Sequence, residues 1–182
     1  MNIRKTKIEG LLIFKPTILK DKRGYFIESY NQMTVNKLLG NINFLQDNES
    51  ESSRAVLRGL HFQKPPYAQS KLVRCVKGIV LDVALDLRKN SKTYGHFETT
   101  VLSSENKEQL FVPKGFAHGF IVLSESAILS YKVDNYYNPE SESGIIWNDP
   151  DLNIDWKINK KEIIVSEKDK SLPTFNNIIS PF

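Results

Sequence analysis

Short apolar, β-branched stretches recur through the second half of the chain, each bounded by Gly, Pro, Asn or Ser. This regular spacing of short segments is typical of an all-β sandwich, jelly roll or small barrel. Asp82 and Asp86 lie four residues apart in one segment, so they share a face that is polar or lines a cavity. The predicted strands cover residues 72–78, 79–87, 96–102, 109–113, 118–123 and 127–133.

Helical periodicity is confined to one place. Residues 32–39 form a short, modestly periodic segment and are the best helix candidate. After Asp149 the sequence is mixed, and we expect Trp156 and residues 163–165 to anchor it by packing. Since Pro and Gly are spread along the chain and no 20–50-residue repeat is present, a single domain over residues 1–182 is predicted.

Composition fits an ordinary globular protein. The chain has 182 residues, 40% of them hydrophobic, which is enough for a core. Its longest apolar runs are four residues, far below the roughly 18 needed to span a bilayer, so no membrane segment is expected. No apolar stretch follows the basic N-terminus, and Cys75 has no partner for a disulfide. Both features favour a cytoplasmic location.

The net charge of +4 is unevenly distributed. Residues 1–24 hold seven basic and two acidic residues, a local +5, so the rest of the chain sums to −1. Proteins that bind nucleic acid carry a broad basic face and a recognition motif. Neither is visible here, and nucleic acid is therefore not an expected partner.

Two of the three histidines lie in specific surroundings, whereas His96 matches no motif and is expected to be structural. His118 ends a Pro-x-Gly-x-x-His stretch that resembles the second metal motif of the cupin superfamily. The stretch around His61 resembles the partner motif, but Gln63 and Lys71 stand where a second His and a Glu belong. Zinc and iron sites need three or four neutral or anionic donors. We therefore predict a barrel in which acid–base chemistry replaces the metal.

Eight motifs follow one another over nearly the whole chain: residues 23–28, 46–52, 56–63, 69–73, 82–88, 113–120, 131–132 and 147–150. In this order they resemble the dTDP-4-dehydrorhamnose 3,5-epimerase family. The resemblance implies an all-β, cupin-like jelly-roll barrel with a few short helices and no cofactor. It also implies a homodimer with exchanged N-terminal strands and a nucleotide-linked 4-keto-6-deoxyhexose as substrate.

Inverting a carbon next to a ketone requires a base, a partner for the enolate oxygen and an acid on the opposite face. His61 is the candidate base because imidazole titrates near neutral pH, and Lys71 offers a positive charge to the enolate oxygen at C4. The resemblance implies Tyr131 as the opposed proton donor and Asp169 as the carboxylate that orients the histidine. In the same tail Glu167 remains an alternative carboxylate.

A nucleoside diphosphate calls for arginines, which bind phosphate in bidentate fashion. The resemblance assigns Arg23 and Arg58 to the two phosphates. It assigns further contacts with the base, ribose or sugar to Phe26, Glu28, Gln46, Asn48, His118, Phe120, Glu142 and Lys168. Family sites are built between subunits, so residues 23–28 are expected to serve the neighbour's pocket.

The leading hypothesis is an isomerase that inverts C3 and C5 of a 4-keto-6-deoxyhexose, most simply dTDP-linked, for surface polysaccharide. Close alternatives are inversion at C3 alone and a GDP-linked hexose or heptose. More distant ones are a metal-dependent cupin oxygenase and a sugar-nucleotide-binding module without catalysis. Three positions depart from common family residues: Tyr25 replaces a Phe, Glu49 a His and Cys75 an aliphatic residue; Glu49 leaves the nucleotide base open.

Overall fold

Two antiparallel sheets face each other in the computed structural model, which describes residues 2–182. The strands are β1 (Asn2–Lys5), β2 (Leu12–Lys15), β3 (Leu19–Asp21), β4 (Gly24–Phe26), β5 (Gln46–Ser53), β6 (Leu57–Gln63), β7 (Lys71–Lys77), β8 (Ile79–Asp86), β9 (Phe97–Ser103), β10 (Gln109–Val112), β11 (Phe116–Val122), β12 (Ser126–Val133) and β13 (Glu142–Gly144). The helices are α1 (Gln32–Leu39) and α2 (Glu167–Lys170), with 3₁₀ turns at Pro139–Ser141 and Phe175–Asn177.

The six-stranded sheet has the order β1-β2-β10-β7-β12-β5, and the five-stranded sheet the order β13-β6-β11-β8-β9. Strands β1 and β2 pair with each other, and β2 continues onto β10 of the same chain. Strands β3 and β4 form a separate two-stranded hairpin. This arrangement is a cupin-like jelly roll, as the sequence predicts.

The barrel interior follows from the period of two along each strand. On β8, Val80 and Ala84 face the interior with Asp82 between them, while Leu81 and Val83 pack on the outside of the five-stranded sheet. The outside is covered by the C-terminal tail. The buried tail residues are Ile154, Trp156 and Val165.

Helix α1 covers part of the outer face of the six-stranded sheet. Asn31 caps its first turn by accepting a hydrogen bond from the backbone N–H of Thr34. The loop residues around the helix pack against a small apolar cluster built on Phe14, Leu72 and Phe111.

The predicted strands and helix are largely confirmed. All six predicted strands exist, with ends shifted by at most two residues, and the helix spans residues 32–39. Trp156 and Val165 are buried as expected, but Ile164 is 55% exposed, so it is not a packing anchor. Strands β1–β6 and β13 are additional to those predicted. Within residues 2–182, no helix is long and apolar enough to cross a membrane.

Candidate active site

A bulge in β6 turns two functional side chains into one cavity. His61 pairs with His118 on β11, and Arg58 pairs with Phe120, so three steps on β6 match two on β11. Residues three apart on a regular strand face opposite ways, and the extra residue corrects this. Arg58 and His61 consequently line the same cavity, of about 520 Å³.

His61 forms a dyad with Asp169. Its Nε2 lies 2.7 Å from Oδ1 of Asp169, whose Oδ2 accepts the backbone N–H of Gly59 at 3.1 Å. Burial tends to raise the pKa of Asp169, but these hydrogen bonds outweigh burial and lower it. The carboxylate is therefore a fixed negative partner for the imidazole. Glu167, the alternative in the tail, is 89% exposed and pairs with Lys170.

Lys71 and Tyr131 line the same cavity as His61. Both come from the six-stranded sheet, opposite β6, at interior positions on β7 and β12. Burial lowers the pKa of Lys71 to about 8, against the attraction of Asp82 and Glu142. Burial raises the pKa of Tyr131, so its hydroxyl stays protonated at neutral pH. The cavity thus contains a histidine, a cation and a phenol.

His118 belongs to a second, buried dyad. Its Nε2 lies 2.9 and 3.0 Å from the two carboxylate oxygens of Asp82, which is fully buried. His118 itself is 7% exposed and lines the cavity with Phe120. The acidic face predicted for β8 is therefore real, and Asp82 holds the imidazole of His118. The other acid on that face, Asp86, instead binds Arg88, Ser91 and Thr93.

A second lobe of about 280 Å³ adjoins the first through His61, Lys71 and Tyr131. Gln46 and Asn48 line it from β5, joined by a 2.8 Å hydrogen bond. Across the lobe, Glu142 Oε2 accepts from Tyr137 Oη at 2.6 Å and lies 2.6 Å from Lys168 Nζ. Burial works against ionisation of Glu142, but Lys168 and Tyr137 together lower its pKa.

Arg58 is anchored at the mouth of the first lobe. Its Nε donates to Ser52 Oγ at 3.1 Å and its Nη2 to the carbonyl of Glu51 at 3.3 Å. Ser50, two residues before Ser52 on β5, also lines the lobe. Its buried hydroxyl has no hydrogen-bond partner among residues 2–182. Nη1 of Arg58 and the hydroxyl of Ser50 are left to bind a polar ligand.

Three predicted substrate-binding residues lie apart from both lobes. Arg23, Phe26 and Glu28 do not line either one. The Arg23 side chain is 85% exposed and pairs with Asp21, Phe26 is 67% exposed, and Glu28 accepts a hydrogen bond from Asn31. A single copy of the chain therefore brings together eleven of the fourteen predicted residues.

At the position where the metal motif has its second histidine, the Gln63 side chain has a structural role. Its amide nitrogen donates to the carbonyls of Tyr67 and Tyr136, and its oxygen accepts from the N–H of Asn138. The Gln63 side chain therefore uses its hydrogen bonds to hold this loop in place. In the part of the chain from residue 2 onward, no group of three His, Cys, Asp or Glu side chains is placed to hold a metal.

Sequence reasoning missed Asp82 as the partner of His118, and it missed Tyr137 and Ser50 as cavity residues. A signal existed for Asp82, because it shares the interior face of β8 with Val80 and Ala84. Tyr137 lies in a loop after β12, where no periodicity indicates the direction of a side chain. Cys75, by contrast, is a buried core residue whose pKa burial raises to about 11.

The fold and the site define a class: cupin-like jelly rolls with an acid–base cavity built around a His–Asp dyad. Comparison with known proteins agrees. The family model described as dTDP-4-dehydrorhamnose 3,5-epimerase matches residues 5–177, and the chain belongs to this family of isomerases. The Escherichia coli K12 dTDP-4-dehydrorhamnose 3,5-epimerase is 51% identical over 98% of this chain and 97% of its own length.

Solved structures give the same result. The dTDP-4-dehydrorhamnose 3,5-epimerase of Elizabethkingia anophelis NUHP1 superposes with a TM-score of 0.93 at 53% identity, covering 97% of each chain. The dTDP-6-deoxy-D-glucose-3,5-epimerase of Legionella pneumophila, in complex with dTDP-4-keto-L-rhamnose, superposes with a TM-score of 0.93 at 46% identity. That match covers 98% of this chain and 94% of the Legionella one.

Proposed function

We propose that this protein inverts C3 and C5 of a dTDP-linked 4-keto-6-deoxyhexose by proton abstraction next to the C4 ketone. The observation that carries the proposal is the placement of His61, Lys71 and Tyr131 around one cavity, with Asp169 fixing the imidazole. The Legionella relative, bound to a dTDP-linked keto sugar, supports the substrate class.

His61 acts as the base. Asp169 contacts Nε2, which leaves the other ring nitrogen for the substrate. The proton on the sugar carbon moves to that nitrogen, and the electron pair of the C–H bond moves into the enolate, with negative charge on the C4 oxygen. Asp169 stabilises the imidazolium that forms. The Asp169 carboxylate therefore has two tasks: it positions the imidazole of His61 and it stabilises the positive charge of the imidazolium.

Lys71 stabilises the enolate oxygen. With a pKa of about 8, its amine is mostly protonated at pH 7 and carries the charge that the oxygen needs. A preorganised cation in a cavity shielded from water acts strongly because few competing dipoles surround it. His118, held by Asp82 through Nε2, offers its other ring nitrogen for a hydrogen bond to the sugar.

Tyr131 returns the proton. It extends from the sheet opposite β6, so it approaches the sugar ring from the side away from His61. Burial keeps its hydroxyl protonated, as a donor must be. Because one proton leaves and one returns with the same electron pair, the reaction is redox-neutral and we propose no cofactor.

The two lobes divide the rest of the substrate between them. Gln46, Asn48 and Glu142 supply amide and carboxylate groups suited to a base or ribose edge, and Lys168 neutralises Glu142. In the other lobe Arg58 binds phosphate, next to the free hydroxyl of Ser50. Phe120 packs against the sugar from the wall.

The site is completed by a second copy of this single-domain chain. Arg23, Phe26 and Glu28 lie on or beside an exposed hairpin and away from their own cavity. We propose a homodimer that exchanges N-terminal strands β3 and β4: each copy inserts this hairpin at the other's cavity, where Arg23 meets the diphosphate, while β1 and β2 stay on their own sheet. The unpaired Cys75 suits a reducing compartment, so we place the reaction in the cytoplasm.

The test is incubation with a dTDP-linked 4-keto-6-deoxyglucose in deuterated water, followed by NMR of the product. We expect deuterium at both C3 and C5. His61→Ala should abolish exchange, and Asp169→Asn should reduce the rate by about 10²–10⁴. Glu167→Gln, which alters an exposed carboxylate of the same helix, should behave as wild type.

Each contrary result identifies another function. Exchange at C3 alone would assign a C3 epimerase, and turnover only of a GDP-linked hexose or heptose would change the nucleotide. Undiminished exchange in His61→Ala would remove the proposed base. Binding of the sugar nucleotide without any exchange would leave a binding module.

A further inference from the structure

Among residues 2–182, a single side-chain hydrogen bond joins the β3–β4 hairpin to the barrel. All six strand positions of the hairpin are exposed, and its remaining hydrogen bonds are internal. Across residues 2–182, one hydrogen bond leaves it: Lys107 Nζ donates to Tyr25 Oη at 2.8 Å. An isolated two-stranded hairpin is marginally stable in water, so this contact decides where the hairpin lies.

The contact has two components. The Lys107 ammonium also lies 4.0 Å from the centroid of the Tyr25 ring, a cation–π geometry. The hydrogen bond and the positive charge of Lys107 lower the pKa of Tyr25. Tyrosine thus offers the ammonium both a ring face and an acceptor oxygen, whereas a phenylalanine would offer only the ring.

Lys107 is carried on a firm support. It lies in the turn between β9 and β10, and its N–H donates to the carbonyl of Ser103. Asn106 braces the same turn, because its side chain accepts from the N–H groups of Ser103 and Glu108 and donates to the carbonyl of Val101. The anchor point therefore belongs to the barrel body.

The geometry of β4 links Tyr25 to the substrate-binding residues. Successive side chains on a strand point to opposite faces, so fixing Tyr25 on Lys107 turns Phe26 to the other face. Arg23 lies two residues before Tyr25, in the hairpin turn, where Asp21 binds its guanidinium. Releasing Tyr25 would release Phe26 and Arg23 together.

We propose that Tyr25 and Lys107 are positioning residues, which hold the hairpin so that Arg23 and Phe26 reach the cavity of a second copy. This inference rests on the proposed function and on the proposed exchange between copies. It assigns to two residues outside the cavity a role in substrate binding and none in proton transfer.

Steady-state kinetics provide the first test. Lys107→Met removes both components and should raise KM by about 3- to 10-fold, the range expected for a solvent-exposed contact. Tyr25→Phe keeps the ring and should raise KM less than Lys107→Met does. Lys107→Arg keeps a cation at this position and should leave KM near the wild-type value. In all three variants kcat should stay within about twofold, because the proton-transfer groups are untouched. Lys92→Met and Tyr94→Phe, in the loop between β8 and β9, are the matched controls.

Mixed dimers provide the second test. One copy carries Lys107→Met with a live cavity, and the other carries His61→Ala with an intact hairpin. The live cavity is then served by the intact hairpin, and KM should equal that of wild type. When both substitutions are placed on one copy and the partner is wild type, KM should be raised.

The outcomes separate the two proposals. An inactive wild-type protein would refute the proposed function. An active wild type whose KM is unchanged in Lys107→Met would refute the positioning role alone. A raised KM that follows the copy with the live cavity would show that each hairpin serves its own cavity and would also overturn the inference.

Discussion

Lys71 and His61 make opposite demands on protonation. A histidine base must be neutral to take a proton, whereas the lysine must be charged to stabilise the enolate. With the pKa of Lys71 lowered to about 8 by burial, its charge is lost as the pH rises past that value. We therefore expect the lysine to set the alkaline limit of activity.

Lys71→Met should lower kcat by roughly 100-fold or more, since it removes the cation facing the C4 oxygen. The wild-type rate should fall above pH 8, and that alkaline limb should be absent from the residual rate of the variant. Rate–pH profiles of both proteins check this. An unchanged limb in the variant would assign it to another group.

The same substitution should stabilise the fold. The unfolded lysine has a pKa near 10.5 and the folded one about 8, so between these values the unfolded state holds more protons and stability rises with pH. Below pH 8 the full cost of burying the charge is present. Thermal unfolding at pH 7 should show Lys71→Met more stable by about 1–3 kcal/mol.

At this scale the sequence predicts residue types better than partners. His61 and Lys71 could be proposed because the reaction requires a base and a cation, whereas Tyr131 was implied by the family resemblance. The choice of Asp169 over Glu167 needed the structure, since it depends on which carboxylate a one-turn helix turns toward β6. The same holds for the pairing of Asp82 with His118, which joins two strands.

At the scale of elements, the bulge in β6 depends on the close approach of two backbones. Gly59 has a φ of +116°, and a Cβ there would lie 2.6 Å from Cα of Gly119 and 2.7 Å from the carbonyl of His118. Its N–H also binds Asp169. A side chain at this position would separate β6 from β11 and loosen the dyad.

Gly59→Ala should therefore destabilise the protein by about 3 kcal/mol or more and depress kcat as well. Gly24→Ala is the matched control, because it also has a positive φ of +128° but no atom within 4 Å of the new Cβ. It should cost at most about 1–2 kcal/mol of backbone strain. Denaturant unfolding would measure both; equal losses would contradict the steric explanation.

Strand β5 shows why some elements escaped prediction. Its sequence, Gln46–Ser53, is entirely polar, and propensity disfavours it as a strand. It forms because β12 pairs with it along its full length, and its inward side chains line a cavity instead of a core. The strands from β7 to β12 were predictable because most of their interior positions are apolar.

At the scale of the whole molecule, the basic residues near the N-terminus differ in their surroundings. Arg4 and Lys15 pair with Glu108 at the edge of the six-stranded sheet. Arg23 instead extends from the exposed hairpin, which supports a role in a second copy. Arg4 and Lys15 therefore have partners within the chain and take no part in the proposed substrate site.

Arg23→Ala should raise KM by about 10-fold or more and leave kcat nearly unchanged, because a charged hydrogen bond to phosphate is lost without altering proton transfer. Arg54→Ala, an exposed arginine paired with Glu162, is the control and should keep the wild-type KM. Sedimentation should show a dimer for all three proteins. A purely monomeric wild type with full activity would contradict the shared cavity.

The His61–Asp169 bond joins residues 108 positions apart in the sequence. A ribosome making about 5–20 residues per second delivers the histidine several seconds or more before its carboxylate. During that interval the nascent chain already carries its base, yet nothing orients it. In the proposed mechanism catalytic competence therefore requires the chain through Asp169, and a protein truncated before the tail is expected to be made without being able to act.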